Sequence, residues 1–102
     1  MVKKLLKENL DKNIGAGTVI VDFYADWCAP CRRQAPVLEN VARQLDSKAR
    51  VYKVNIDESQ DLASQYNVTS IPTILLFKDG KVVNSMVGYK TEAALLGAVE
   101  KA

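Results

Sequence analysis

The pentapeptide WCAPC, residues 27–31, contains both cysteines of this 102-residue chain and separates an apolar run from a long helical pattern. Cys28 and Cys31 stand at positions i and i+3, which places them on one helical turn, close enough to form a disulfide with little backbone movement. A disulfide that closes so short a loop removes little entropy from the unfolded chain, so it is a poor structural staple. The spacing therefore indicates a bond that opens and closes reversibly.

A metal site is the main chemical alternative for this cysteine pair. The chain has no histidine and no third cysteine, so a closed tetrahedral zinc site would lack two good ligands. A zinc site shared between two chains is the remaining form of this alternative. We expect no metal at the pair.

Composition and charge exclude several other classes of function. The net charge of +2, from 14 basic and 12 acidic residues, is too small to predict binding to nucleic acid or to an anionic membrane. The hydrophobic fraction of 48% is ordinary for a globular protein, and the length fits a single domain over residues 1–102. The N-terminal residues lack the apolar segment of a secretory signal, and CxxC spacing without such a signal predicts a reducing, cytoplasmic location.

The spacing of apolar residues predicts alternating helices and strands. Helical spacing predicts a helix over residues 2–14, and a short strand at its start is an open alternative. A second helix is predicted from residue 29 to residue 45 or 48, with a kink at Pro36. Shorter helices are predicted after Ser59 and Thr91 as N-caps. Strands are predicted at residues 18–25, 51–56, 71–77 and 81–87, the last as an edge strand after an Asp79-Gly80 turn. This order predicts an α/β fold, a mixed sheet of four to five strands with helices on both faces.

The predicted position of the cysteines explains how they would react. A thiol between the end of a central strand and the start of a helix lies where backbone N–H groups and the helix dipole stabilise the thiolate. We expect Cys28, at the helix start, to be the exposed attacking thiol, and Cys31, one turn further, to be the shielded resolving thiol.

Asp22 is the candidate base for the second step of such an exchange. Cys31 must lose its proton before it attacks a mixed disulfide, and the chain offers no histidine to accept that proton. Asp22 interrupts a predicted central strand, so desolvation would raise its pKa toward the range useful for a base near neutral pH. Lys53 on the next strand could be its partner and would oppose that shift. A hydrogen-bonded structural aspartate is the alternative.

Three motifs extend the pattern to nearly the whole chain: VDFYADWCAPC at residues 21–31, SIPTILLFKDG at residues 70–80, and VGY at residues 87–89. Together, in this order and spacing, they resemble the thioredoxin family. The resemblance implies the thioredoxin fold and a dithiol–disulfide oxidoreductase that reduces protein disulfides through a cycle of Cys28 and Cys31. It also implies that Asp22 and Lys53 lie beneath the cysteines as the proton-transfer pair.

The resemblance further implies a substrate-binding rim. Pro72 would be cis and face the disulfide, while Trp27, Ile71, Val87 and Gly88 would form a flat apolar surface on which target proteins dock. Each rim residue also has a plainer interpretation. Trp27 could belong to the core, Ile71 could pack at a strand start, and Gly88 could serve only as a turn residue.

The chain departs from the family pattern at a few positions. Ala29 stands where glycine is usual between the first cysteine and Pro30, Tyr24 stands where tryptophan is common, and the N-terminus is compact. Tyr24 and the compact N-terminus do not touch the sulfur chemistry, and we expect Ala29 to change the redox equilibrium only slightly. Pro30 directly before Cys31 gives the WCxPC form that the reductants of the family share, which favours the reducing direction.

The resemblance implies that thioredoxin reductase and disulfide-containing target proteins are the partners. It implies no bound cofactor, since the reductase would supply the reducing equivalents, and we expect a monomer that binds neither nucleic acid nor membranes. A disulfide isomerase-like or oxidising domain is the enzymatic alternative. A non-enzymatic interaction module with an incidental dithiol is the alternative from another class.

Overall fold

The computed structural model describes residues 2–102, which form one five-stranded sheet with helices packed against it. None of the helices in this described range combines the length and the apolar character needed to cross a membrane. In chain order the elements are β1 (Lys3–Lys4), α1 (Lys7–Ile14), β2 (Thr18–Tyr24), α2 (Ala29–Leu45), a 3-10 turn (Asp46–Lys48), β3 (Arg50–Asn55), α3 (Gln60–Gln65), β4 (Thr73–Lys78), β5 (Lys81–Val87) and α4 (Glu92–Lys101).

The sheet has the strand order β1-β3-β2-β4-β5. Strands β1, β3 and β2 pair in parallel, while β4 and β5 are antiparallel to their neighbours. The predicted mixed sheet is therefore confirmed, with five strands, and so is the parallel pairing of β2 with β3 across α2. Because β2 is the central strand of the sheet, the WCAPC segment that follows its C-terminal end lies near the middle of the sheet and not beside an outer strand.

Residues on the two faces of β2 enter two separate hydrophobic clusters. Ile20 contributes to a cluster with Leu38 of α2 and Leu95 of α4. Val21, the next residue, contributes to the other cluster, which includes Leu10 of α1. This alternation is the pattern of a strand covered on both faces. It also places Asp22 on the same face as Ile20, toward α2.

The N-terminal segment differs from the predicted continuous helix. Lys3 and Lys4 pair with β3, the Leu5 N–H donates to the Lys53 carbonyl at 2.8 Å, and the helix begins only at Lys7. The alternative of a short initial strand is confirmed, and a helix from Val2 is wrong. Two residues are too few to show strand alternation, and their apolar neighbours also fit helical spacing.

Other boundaries shift by one or two residues. β4 begins at Thr73 rather than Ile71, after Pro72, which has no N–H to pair. Ser59 occupies the N-cap position of α3 without a capping hydrogen bond, whereas Thr91 Oγ1 accepts one from the Ala94 N–H at 3.2 Å. α2 continues as a helix through Pro36, and the kink there stays a prediction.

Both outer strands of the sheet have unusual features. β1, at one edge, is only two residues long and consists of Lys3 and Lys4. β5, at the other edge as predicted, has a register irregularity opposite Leu76 and Phe77. Asp79 and Gly80 join β4 to β5 with φ values of +50° and +86°, the positive pair that a tight hairpin turn requires.

Candidate active site

The two cysteines lie where β2 gives way to α2. Cys28 is the N-cap residue of α2, and its Sγ accepts a hydrogen bond from the Cys31 N–H at 3.3 Å. The two residues form a disulfide, with Cα atoms 5.2 Å apart. The pairing expected from the spacing is confirmed.

Cys28 is less accessible than we expected. In the disulfide form its exposed fraction is 6%, against 3% for Cys31, so both residues are buried. The prediction of an exposed Cys28 is wrong for this state, because Ala25 and the partly buried Tyr24 and Ile71 pack around the pair. Cys28 still keeps the larger accessible fraction of the two.

The start of α2 favours negative charge on Cys28. Its Sγ accepts from the Cys31 N–H in the first turn, and no acidic residue occupies that turn to oppose the positive end of the helix dipole. Such an environment stabilises a thiolate relative to a thiol. Ala29 and Pro30 occupy the first two helical positions, where the missing N–H of proline costs no hydrogen bond.

The opposite wall of the site comes from two segments that are distant in sequence. The Ile71 carbonyl oxygen lies 3.8 Å from Cys28 Sγ, and the Ile71–Pro72 peptide bond is cis, as the family resemblance implied. The Gly88 N–H donates to the Pro72 carbonyl at 2.8 Å. The turn before β4 and the loop after β5 are thereby joined beside the disulfide.

Apolar side chains surround this wall. Trp27 is 67% exposed and its Nε1–H donates to Asp57 Oδ2 at 2.8 Å, so the alternative of a core tryptophan is wrong. Val87 is 57% exposed, and Ile71 is half-buried against the cysteine pair. We call Trp27, Ile71, Val87 and Gly88 the rim.

Asp22 lies inside the protein beneath the cysteines. It is 3% exposed, and its Oδ1 has no hydrogen-bond partner within residues 2–102. Burial raises the pKa of this carboxyl from 3.8 to about 7, and the charge of Lys53 partly opposes that rise. The plainer alternative, a hydrogen-bonded structural aspartate, does not describe this oxygen.

A cavity of about 40 Å³ is lined by both Asp22 and Cys31. Its lining includes Asp22, Cys31 and Lys53, together with Val2, Tyr24, Ala35, Leu38 and Glu39. A space of this size, with several polar groups around it, can hold one water molecule. A water in this space would link Cys31 with the Asp22 carboxylate for proton transfer.

Lys53 acts on Asp22 from a distance rather than through a direct ion pair. The two residues are register partners in the β2–β3 pairing, yet the described residues show no contact within 4.0 Å between the Lys53 ammonium and any carboxylate. Its Nζ lies 5.5 Å from the centroid of the Tyr24 ring instead. The predicted opposing effect on the Asp22 pKa is confirmed, but direct pairing is not formed.

One buried polar residue near the site was missed at the level of sequence. Gln34, in α2, is 0% exposed and makes hydrogen bonds to both backbone groups of Lys90. Its position relative to Leu38 and Leu45 already placed it on the apolar stripe of the helix. A glutamine on such a stripe needs partners, and that need was the available signal.

A disulfide at a helix N-terminus, next to a cis-proline turn and a buried carboxylate, is the arrangement expected of a dithiol–disulfide oxidoreductase. The protein-family model described as Thioredoxin matches residues 1–101 of the chain. The chain belongs to the thioredoxin family.

Two relatives and one solved structure are similar to the chain over nearly its whole length. The chain is 46% identical over 101 residues to a thioredoxin of Chlamydia pneumoniae, covering 99% of this chain and 98% of that protein. It is 42% identical over 100 residues to a thioredoxin of Staphylococcus saprophyticus, covering 98% and 96%. The crystal structure of a Malassezia sympodialis thioredoxin superposes with a TM-score of 0.90 at 28% identity, covering 99% of this chain and 90% of that one. The predicted thioredoxin fold is confirmed.

Gly88 allows a direct test of backbone strain beside the disulfide. Its φ is +89°, and a Cβ added there would meet no atom within 4 Å. Gly88→Ala is therefore expected to lower the free energy of unfolding by about 1–2 kcal/mol through backbone strain alone. Gly97→Ala is the matched control, since Gly97 lies in α4 with equal space, and it should raise stability by about 0.5–1 kcal/mol. Denaturant titrations that show equal effects of the two substitutions would contradict this account.

Proposed function

We propose that this chain reduces disulfides in other proteins, with Cys28 as the nucleophile, Cys31 as the resolving thiol and Asp22 as its base. The observation that carries the proposal is the cavity that brings the unpartnered Asp22 carboxylate and Cys31 together beneath the helix N-terminus. The disulfide form seen in the structure is then the end point of one reductive turnover.

The first half of the cycle is a thiol–disulfide exchange. In the reduced protein, the Cys28 thiolate attacks one sulfur of the target disulfide. The target S–S bond breaks, a Cys28–target mixed disulfide forms, and the released target sulfur leaves as a thiolate that takes up a proton. The N–H groups at the start of α2 stabilise the Cys28 thiolate before the attack.

The second half releases the target. The Cys31 thiol gives its proton to the Asp22 carboxylate, directly or through a water in the cavity, and its sulfur attacks Cys28 Sγ. The mixed disulfide breaks, the second target sulfur leaves as a thiolate, and the Cys28–Cys31 bond forms, so two electrons have passed to the target. A pKa of about 7 lets Asp22 accept the proton near neutral pH. The charge of Lys53 keeps part of the Asp22 population ionised.

The rim supplies the binding surface for the target. Trp27 and Val87 offer exposed apolar area, and Gly88 lacks a side chain that would hold a target backbone away. The Ile71 carbonyl, 3.8 Å from Cys28 Sγ, would be available to an incoming extended segment of the target. Docking on this surface would align a target sulfur with the attacking thiolate.

The same proposal covers the partners and the cellular setting. A thioredoxin reductase would return the disulfide to the dithiol, and the dithiol itself carries the two electrons, so the cycle needs no bound cofactor. A single domain acting as a monomer in the cytoplasm would serve disulfide-containing proteins there. Pro30 before Cys31 supports the reducing direction.

Reduction of insulin by dithiothreitol tests the function. Wild-type protein should accelerate the precipitation of the insulin chains severalfold at micromolar concentrations. With Cys28→Ser in place of the wild type, insulin should precipitate at the rate seen with dithiothreitol alone. A folded wild-type protein that leaves the rate unchanged would contradict the proposal and favour a binding module.

A further inference from the structure

Gln34 links the helix of the cysteines to the loop that carries half of the rim. Its Nε2–H donates to the Lys90 carbonyl at 2.9 Å, and its Oε1 accepts from the Lys90 N–H at 2.7 Å. The Gln34 side chain is fully buried, which shields its end of these two bonds from water. One side chain therefore fixes both polar groups of a loop residue.

The loop held in this way is part of the site. We call residues 87–90, the last residue of β5 and the three that follow it, the rim loop. Gly88 is already tied to Pro72 by its backbone, and the Arg33 guanidinium lies 5.6 Å from the centroid of the Tyr89 ring. Consecutive residues of α2 thus hold consecutive residues of the rim loop, Arg33 at the surface and Gln34 in the interior.

These contacts complete a closed path around the disulfide. Gln34 lies one turn after Cys31 on α2, and its bonds to Lys90 fix the end of the rim loop. The path returns from Gly88 to Pro72 and, through Ile71, to Cys28 Sγ. Gln34 is the only side chain of the path that bonds to the loop backbone from the interior of the described structure.

We propose that Gln34 is a positioning residue that fixes the rim loop relative to Cys28 and so sets the reactivity of the protein toward protein disulfides, as distinct from small disulfides. The inference rests on the proposed reduction of target proteins. A small disulfide needs only access to the thiolate, whereas a folded target must also dock on the rim. Loss of the Gln34 bonds should therefore slow the reduction of folded target proteins and leave the reduction of small disulfides unchanged.

Gln34→Met tests this, because methionine has similar length and no polar group to bond to Lys90. We expect kcat/KM for insulin to fall about ten- to a hundredfold, the scale of a misplaced binding element, mainly through a higher KM. The second-order rate of the reduced protein with 5,5′-dithiobis(2-nitrobenzoate) should stay within about twofold of wild type. Gln44→Met is the matched control, since Gln44 is exposed on the same helix and bonds only to the Glu92 side chain, away from the site.

Two results would overturn the inference in a folded Gln34→Met protein. One is an unchanged kcat/KM for insulin, and the other is an equal fall for both substrates, which would indicate general damage to the site.

Amide hydrogen exchange in the wild-type protein provides a measurement that needs no variant. The Lys90 N–H should exchange far more slowly than the N–H groups of exposed loop residues, and fast exchange would also overturn the inference. A wild-type protein that reduces the small disulfide but not insulin would count against the proposed function. In that case the Lys90 exchange rate would still test whether Gln34 holds the rim loop.

Discussion

Asp22→Asn is expected to raise the free energy of unfolding of the disulfide form by about 4 kcal/mol at about pH 9 and above. Burial raises the pKa of Asp22 from 3.8 to about 7, and that difference corresponds to about 4 kcal/mol at ~1.4 kcal/mol per pKa unit. Asparagine keeps the size of the side chain and cannot ionise. The folded variant therefore avoids holding a charge in a buried site.

The sign of the pH dependence follows from which state binds the proton more tightly. Because the folded pKa of Asp22 is the higher one, protonation favours the folded state, and the wild type loses stability as pH rises from about 4 to about 7. The two proteins should be nearly equal in stability at about pH 3, and the gap should be constant above about pH 8. Denaturant titrations across this range measure the gap directly.

Asp26→Asn is the matched control, since Asp26 is an exposed carboxylate in the loop between β2 and α2. It should change stability by less than about 0.5 kcal/mol at any pH. If the difference in unfolding free energy between Asp22→Asn and the wild type does not grow with pH, the carboxylate is not buried in its ionised form. The same variant should also resolve mixed disulfides more slowly, since Cys31 loses its base.

The two cysteine variants are expected to separate the two halves of the cycle. Cys31→Ser should lose all multiple-turnover reduction of insulin and accumulate a covalent adduct with the target, because Cys28 attacks and nothing resolves the mixed disulfide. Cys28→Ser should lose turnover without accumulating an adduct. Non-reducing gel electrophoresis of the variants after mixing with oxidised insulin, followed by mass spectrometry, measures the adduct.

Serine is close to cysteine in size, so the comparison between the two positions is itself the control. The structure places Cys28 Sγ against the Cys31 N–H at the start of α2, while Cys31 has the smaller exposed fraction. Both differences favour attack by Cys28. If Cys28→Ser traps more target than Cys31→Ser, the roles are reversed.

Much of the architecture could be predicted from apolar spacing alone. The run from Thr18 to Tyr24 is apolar on both faces, which placed it in the centre of the sheet, and the same pattern placed Asp22 in the interior. Helical spacing gave α2 and one of its two predicted ends, Leu45. These elements are long enough for their period to show.

Other features depend on contacts that spacing does not encode. β1 is two residues long, and its pairing with β3 rather than its own pattern makes it a strand. Lys53 was expected beside Asp22, but the direction of its side chain toward Tyr24 follows from local packing. Gln34 bonds to Lys90, 56 residues away, and nothing near it in sequence indicates that partner.

The two outer strands of the sheet affect how readily copies of the protein associate at high concentration. A long, flat outer strand offers unpaired backbone groups to other copies of a chain and promotes fibril growth. Here one outer strand is two lysines long, and the other has an irregular register. Bulges of this kind twist an outer strand and make it a poor template for a new one. We therefore expect the protein to resist strand-by-strand polymerisation in concentrated solution despite the exposed Val82 and Val83 on β5.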